Sequence, residues 1–153
     1  MPTLVRLAHR PGAAVRLYCL PPGGSGPEFY RPWTDLLPTT VEPYTFALPG
    51  RGNRRDEPSP SDPSALTAAL ASLTDNATDA RPFALFGHSF GALLAHEVAR
   101  RLRRTARREP ALVALSALPA PHQREFERLL ATLVTSGFDT FTDLVGPLPA
   151  ELL

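Results

Sequence analysis

Ser89 is the residue whose surroundings most clearly predict chemistry in this sequence. It lies between Gly87 and Gly91 in the order Gly-His-Ser-Phe-Gly, directly after the apolar run Phe83 to Phe86. The small and apolar residues from Ala92 to Ala95 then predict a helix. A serine placed between a buried strand and a helix is the context in which a G-x-S-x-G motif forms a nucleophile elbow. We therefore predict that the Ser89 hydroxyl is a nucleophile.

The elbow needs each of its neighbouring residues for a physical reason. In so tight a turn, side chains at Gly87 and Gly91 would collide with nearby backbone, so only hydrogen fits there. The N-terminus of the helix aims N–H groups, that of Phe90 among them, at the oxyanion that forms when Ser89 attacks a carbonyl. His88 completes the elbow, and its side chain is expected to point away from the nucleophile. A chance match to the motif is the alternative.

A second glycine-rich segment, Pro21 to Gly26, follows the predicted strand Ala14 to Leu20. Ligands of parallel sheets bind at the carboxyl ends of the strands, so this loop and the Ser89 turn are expected to share one rim. The Gly23-Gly24 backbone can then bring an N–H to a carbonyl above Ser89. A plain flexible turn is the alternative, whereas a phosphate-binding loop fits poorly because the P-loop lysine is missing.

Strands alternate with helices along the chain, which predicts an α/β fold with a largely parallel sheet. We expect a single domain over residues 1–153. The predicted strands are Leu4 to Ala8, Ala14 to Leu20, Val41 to Leu48, Phe83 to Phe86 and Ala111 to Leu118; the predicted helices cover Glu28 to Leu37, the segment after Ser61-Asp62-Pro63, the segment after Ser89 and the region beyond Pro121.

Composition narrows the functional classes. The chain has 153 residues, a formal net charge of +1 and one cysteine, Cys19. So small a net charge creates no overall electrostatic attraction to nucleic acid or to an anionic membrane. A lone cysteine excludes a disulfide framework within the chain. The first ten residues lack the apolar core of a signal peptide. We expect a soluble cytoplasmic protein without a nucleic-acid or membrane partner.

Several motifs in order resemble the type II thioesterases of polyketide and nonribosomal peptide synthesis, a branch of the α/β-hydrolases. The matching segments are Leu-Tyr-Cys-Leu-Pro-Pro-Gly-Gly-Ser-Gly (17–26), Phe-Tyr-Arg-Pro-Trp (29–33), Leu-Pro-Gly-Arg-Gly (48–52), Pro-Phe-Ala-Leu-Phe-Gly-His-Ser-Phe-Gly-Ala (82–92) and Ala-Pro-His (120–122).

The resemblance implies hydrolysis of acyl or peptidyl groups from the phosphopantetheine of carrier proteins, with no cofactor and no metal. It makes Ser89 the nucleophile and the amides of Phe90 and Gly23 the oxyanion hole. Residues from about 122 to 153 would begin a helical lid.

The rest of a catalytic triad is not expected in this chain. α/β-Hydrolases order their triad as serine, acid and histidine, and the resemblance places the acid and the histidine beyond the lid. Some relatives carry the acid just after the strand that follows the elbow, but Ser116-Ala117-Leu118 holds no carboxylate. His9, His88, His96 and His122 are poor substitutes for the base.

Two alternatives to a thioesterase remain open. Without further strands, Ala111 to Leu118 would form an uncovered sheet edge, which invites pairing with another chain. The chain would then be a non-catalytic or split fragment that binds a carrier protein or needs a complementing chain. A malonyl-type acyltransferase fits less well, since it wants an arginine where Ala114 stands.

Nine of the sixteen arginines occur in two groups. Arg51, Arg54 and Arg55 lie in the loop after the third predicted strand, on the rim expected to hold Ser89. They either contact a phosphate or an acidic carrier helix, or are simply solvated. The six arginines between Arg100 and Arg108 are expected to be a solvated helix end, since cations are favourable there.

Overall fold

A computed structural model describes residues 1–75, 80–105 and 108–145, with the backbone alone for residue 134 and residues 136–145. Within these residues the chain alternates between strands and helices, as predicted. The elements are β1 (Thr3–Arg6), β2 (Val15–Leu20), α1 (Trp33–Leu36), β3 (Val41–Ala47), α2 (Pro63–Asp75), β4 (Phe83–His88), α3 (Phe90–Arg104), β5 (Leu112–Ser116) and α4 (Arg124–Val145), with short 3-10 turns at Pro27–Tyr30 and Gly52–Arg54.

The strands form one sheet in the order β1-β3-β2-β4-β5. β1 pairs antiparallel with β3, and every other pair in this sheet is parallel. The predicted largely parallel α/β sheet is therefore confirmed. β2 and β4 are neighbours with Leu20 opposite Gly87, so the loop that follows β2 emerges beside the turn that follows β4.

Apolar side chains of the central strands and of α3 form the core. Tyr18 and Leu85 on the strands and Leu94 and Leu102 on α3 are almost completely inaccessible to solvent. The burial of α3 follows the spacing of its apolar residues, with a polar face that carries Arg100 and its neighbours. α3 is therefore fixed against the sheet at the position where its N-terminus meets Ser89.

The predicted helix from Glu28 to Leu37 is wrong as a continuous element. The segment forms a 3-10 turn over Pro27–Tyr30 and then the four-residue helix α1. Pro32 lies between them, and a proline cannot donate the backbone hydrogen bond that a continuing helix needs there. Leu36, in the second of these two elements, is 79% exposed.

Two aromatic residues of the same segment face the sheet. The rings of Tyr30 and Trp33 pack on Phe86 of β4, with centroid distances of 5.9 and 4.8 Å. The Tyr30 hydroxyl also donates a hydrogen bond of 2.9 Å to the Leu20 carbonyl at the end of β2. The segment after β2 is therefore anchored on both central strands.

In the described part of the chain β5 is an edge strand of the sheet, and it pairs with β4. Leu112 at its start is 61% exposed. Between β5 and α3 lies a groove of about 670 Å³ whose lining includes Val113, Leu115 and Ala99. An apolar strand in this position is prone to pair with another chain.

We expect the purified chain to associate through β5 at high concentration. Leu112→Lys should reduce that association several-fold, because a charged side chain on an edge strand disfavours pairing with a second strand. Sedimentation velocity over a concentration series measures the effect. Leu36→Lys is the matched control, since Leu36 is also an exposed leucine but lies on a helix. A wild-type chain that stays monomeric, or an equal effect of both variants, would contradict the expectation.

The region beyond Pro121 is helical over Arg124–Val145, as predicted, and contacts α2. Residues 146–153 lie outside the described residues, so a lid over 122–153 stays a prediction. Among the described residues, no helix combines the length and the apolar character that crossing a membrane requires.

Candidate active site

Ser89 occupies the junction between β4 and α3 in a strained backbone conformation. Its φ and ψ angles are 51° and −122°, a region that residues with a side chain rarely adopt. Its N–H donates a hydrogen bond of 2.9 Å to the Ser116 carbonyl at the end of β5. The side chain makes no capping hydrogen bond to α3. The half-buried hydroxyl is therefore not engaged by the helix that it precedes.

The two glycines of the motif are required by close contacts of backbone with backbone. A Cβ atom on Gly87 would lie 2.1 Å from the Gly91 carbonyl oxygen. A Cβ atom on Gly91 would lie 2.1 Å from the Leu20 carbonyl oxygen and 2.8 Å from that of Pro21. The first contact shows how tightly the chain turns at Ser89. The second shows that α3 begins directly against the loop after β2.

The loop from Pro21 to Gly26 therefore lies beside the elbow, as the parallel register requires. Gly24 has a φ of +78°, which favours glycine, and the Ser25 N–H donates to the Pro22 carbonyl over 3.3 Å. Gly23 is half-buried within this turn. The structure thus brings together Ser89, the start of α3 at Phe90 and the loop that carries Gly23.

His88, next to the nucleophile, is held by two contacts. Its Nδ1 atom lies 3.1 Å from the Ser116 hydroxyl, and its ring stacks on Phe29 with a centroid distance of 6.3 Å. In the described part of the chain, no hydrogen bond joins the Ser89 hydroxyl to a histidine or a carboxylate.

The other three histidines belong to different surroundings. His96 contacts Glu97 and the Phe126 ring, His9 is mostly exposed beside Glu42, and His122 is exposed.

Cys19, on β2, carries a thiol and is a second side chain that could act as a nucleophile. Its side chain is completely buried in β2, and desolvation raises the pKa of the thiol to about 12. Because the thiolate is the reactive form, this cysteine is inert at neutral pH. Ser89 is therefore the better candidate.

Of the two alternatives for Arg51, Arg54 and Arg55, plain solvation does not hold for Arg51 and Arg54. Arg51 is only 8% exposed, and its guanidinium lies 4.8 Å from the centroid of the Phe90 ring. The Arg54 side chain forms a bidentate ion pair with Glu57 and donates hydrogen bonds to the carbonyls of Met1 and Ala47. Arg55 is the exposed member of the three.

The arginines at the end of α3 are largely solvated, as predicted. Arg103 and Arg104 are exposed in the last turn, and Arg100 pairs with Glu97 at 2.6 Å. Arg107 lies outside the described residues. Arg108 is the exception, since it donates to the Arg81 carbonyl and covers the Phe83 ring.

Comparison with known proteins assigns this arrangement to a family. The thioesterase domain family matches residues 15–153, a range that contains both glycine-rich segments and Ser89. The chain belongs to the thioesterase domain family. This assignment favours the thioesterase interpretation over a malonyl-type acyltransferase.

Individual relatives of the thioesterase domain support the same assignment. The medium-chain S-acyl fatty acid synthase thioesterase of Anas platyrhynchos is 30% identical over 152 residues, which cover 98% of this chain and 61% of the duck protein. Two solved structures also match. The type II thioesterase BorB from the borrelidin cluster has a TM-score of 0.65 and 35% identity over 87% of this chain.

RedJ, a thioesterase of the prodiginine pathway in Streptomyces coelicolor, has a TM-score of 0.62 and 32% identity over 88% of this chain. In each of these two comparisons, the matched part of this chain covers 57% of the length of the solved chain. The chain therefore spans about three fifths of the length of such relatives. The similarity of this chain to type II thioesterases confirms the family predicted from the motifs.

Proposed function

We propose that this domain hydrolyses acyl or peptidyl thioesters carried on the phosphopantetheine of carrier proteins, with Ser89 as the nucleophile. The observation that carries the proposal is the elbow itself: a strained serine at the carboxyl end of a central parallel strand, where the start of α3 lies against a second glycine-rich loop. Relatives in polyketide and peptide antibiotic pathways, such as the gramicidin S biosynthesis protein of Aneurinibacillus migulanus, supply the setting.

The proposed chemistry has two stages. The Ser89 Oγ attacks the thioester carbonyl carbon, and the oxyanion is held by the N–H groups of Phe90 and Gly23. The C–S bond then breaks, and pantetheine leaves as the free thiol with the proton that the serine hydroxyl gives up. Water then attacks the resulting acyl-serine ester, which releases the acid and restores the hydroxyl. The preorganised N–H groups stabilise the charge that develops on the carbonyl oxygen in both stages.

A base for the serine is the part of the machinery that the described residues do not supply. Oxyanion stabilisation and binding alone leave about 10³–10⁴-fold catalysis over water in a serine hydrolase without its triad. We therefore expect this chain by itself to acylate slowly and in a manner that depends on Ser89. A second candidate function is a fragment that binds a carrier protein or acts after pairing with a complementing chain. It is favoured by β5, whose strand partner among the described residues is β4 alone.

The proposed nucleophile is tested by labelling with a fluorophosphonate probe. Wild-type chain should label slowly, because the oxyanion donors stabilise the charge that develops on the phosphoryl oxygen of the probe. Ser89→Ala should reduce labelling to the level of the heat-unfolded protein. Intact-protein mass spectrometry gives the stoichiometry, and peptide mapping gives the site. Ser72→Ala, on the exposed surface of α2, is the matched control. Equal labelling of Ser89→Ala and wild type would refute the nucleophile.

Hydrolysis of acyl-pantetheine and of acyl-carrier protein then separates the two candidate functions. Ser89-dependent hydrolysis supports the enzyme. Carrier binding that survives Ser89→Ala, with no hydrolysis by the wild type, supports the non-catalytic fragment.

A further inference from the structure

The turn that follows β3 contacts both of the segments that carry the proposed oxyanion donors. This turn, here called the Arg51 turn and covering residues 50–54, sends one residue toward the start of α3 and the next residue toward the loop after β2. Adjacent residues thus reach two parts of the site that are far apart in sequence. We propose that the Arg51 turn is a brace that fixes the position of the Phe90 N–H relative to that of Gly23. The inference rests on the proposed function, since that proposal assigns the two donors.

The first contact is between Arg51 and Phe90. The guanidinium lies 4.8 Å from the centre of the Phe90 ring, and both side chains are almost completely buried. A cation over an aromatic face is attracted by the ring electrons, and more strongly when the pair is withdrawn from water. This contact therefore fixes the ring of the residue whose N–H opens α3.

The second contact is between Gly52 and Gly26, backbone against backbone. Gly52 has a φ of +53°, and a Cβ atom built on it would lie 2.6 Å from the Gly26 Cα and 2.9 Å from the Gly26 nitrogen. The Gly26 N–H in turn donates to the Glu28 carboxylate over 2.9 Å. The Arg51 turn therefore supports the end of the loop that carries Gly23.

The turn can act as a brace because it is itself anchored. The Gly50 N–H donates to the Arg54 carbonyl and the Arg54 N–H to the Arg51 carbonyl, both over 2.9 Å. The Arg54 side chain connects the turn to the end of β3 through the Ala47 carbonyl at 3.1 Å. Hence a shift of either donor segment has to displace a turn that is fixed to the sheet.

The brace predicts effects that cross from one contact to the other. Arg51→Met keeps an apolar side chain on Phe90 but removes the cation. Gly52→Ala crowds Gly26 and strains the turn at position 52, but leaves the Arg51 side chain and the Phe90 ring unchanged. If the turn couples the two segments, Arg51→Met should raise amide hydrogen exchange in residues 23–26 at least about threefold. Gly52→Ala should do the same at Phe90. Arg51→Lys, which restores a cation, should return exchange toward the wild-type rate.

Fluorophosphonate labelling gives the functional readout. Both variants should lower the maximal labelling rate about tenfold or more while leaving the concentration for half-maximal rate unchanged, because misplaced donors weaken only the transition state. Arg31→Met, at an exposed arginine outside the turn, is the control and should match wild type. Urea unfolding of every variant identifies those that lose the fold, and Arg51→Lys provides a folded cation-retaining comparison.

Exchange effects that stay within the directly altered segment would overturn the brace, whatever the labelling shows. A wild-type chain that does not label at Ser89 would instead refute the proposed function. The exchange measurement would still decide whether the Arg51 turn couples the start of α3 to the loop after β2.

Discussion

Alanine at position 91 is expected to remove nearly all reactivity of Ser89 and to weaken the fold. The new methyl carbon would lie 2.1 Å from the Leu20 carbonyl oxygen, inside any permitted contact distance. That oxygen cannot simply move away, because it already accepts the Tyr30 hydroxyl at 2.9 Å. Either the start of α3 or the loop after β2 must therefore shift, and each carries one of the proposed oxyanion donors.

The expected magnitudes follow from these two consequences. Forcing an extra carbon into a packed site costs typically about 1–3 kcal/mol of stability. Loss of one oxyanion donor lowers the rate of acyl transfer about 10²–10³-fold. Urea unfolding measures the first effect, and the rate of fluorophosphonate labelling measures the second.

Two other glycines separate crowding from backbone conformation. Gly12→Ala meets no heavy atom within 4 Å, and its φ lies outside the left-handed region, so it should behave as wild type. Gly24→Ala has the same open space but a φ of +78°, which costs an alanine roughly 1–2 kcal/mol. A Gly91→Ala chain that labels within twofold of wild type would show that the elbow relaxes more easily than its contacts indicate.

The elbow could be predicted from sequence because its requirements are local. A buried strand, two glycines around a serine and the small residues that open a helix all lie within Phe83 to Ala95. The neighbouring loop followed from a general rule, since the carboxyl ends of parallel strands meet at one rim. Local pattern and topology together were thus sufficient to place Ser89 beside the Gly23 loop.

The roles of the arginines could not be predicted in the same way. Residues 51 to 57 carry four charged side chains beyond Arg51 in a glycine-containing segment, a composition that is equally typical of a solvated loop. What distinguishes Arg51 is a ring 39 positions later in the chain, and what distinguishes Arg54 is the carbonyl of Met1. Long arginine side chains bury their stems wherever tertiary structure offers a surface, so only the folded contacts separate a brace from a solvated charge.

The same limit applies at the opposite end of the sheet, where Glu42 is buried in β3 with its side chain only 1% exposed. Its carboxylate accepts the Arg10 N–H at 3.0 Å and the Arg81 guanidinium at 2.9 Å. The Arg10 side chain then donates to the carbonyls of Leu37, Pro38 and Val41. One acidic residue thus joins segments from three parts of the chain at a distance from Ser89.

Glu42→Gln is expected to destabilise the domain by about 3–5 kcal/mol, because it leaves the surrounding cations without their buried counter-charge. Thermal and urea unfolding measure the loss. Glu57→Gln removes the exposed partner of Arg54 and should produce no resolvable change, since exposed ion pairs contribute little. Equal stability of Glu42→Gln and wild type at pH 7 would show that the cations around Glu42 are not held by its charge.

The pH dependence gives an independent test of the same carboxylate. Burial raises the pKa of Glu42, but the hydrogen bonds from Arg10 and Arg81 and the charge of Arg81 outweigh it, so the pKa lies below its ordinary value of 4.5. The stabilisation is therefore fully present above about pH 4.5, where the unfolded chain is also ionised, and is lost as the pH falls through the lower folded-state pKa.

Wild type and Glu42→Gln should accordingly differ by a constant amount near neutral pH and converge in acid. If the difference in unfolding free energy widens below pH 4.5, the folded state holds the Glu42 carboxyl in its protonated form. In that case its hydrogen bonds, rather than its charge, would connect the three segments.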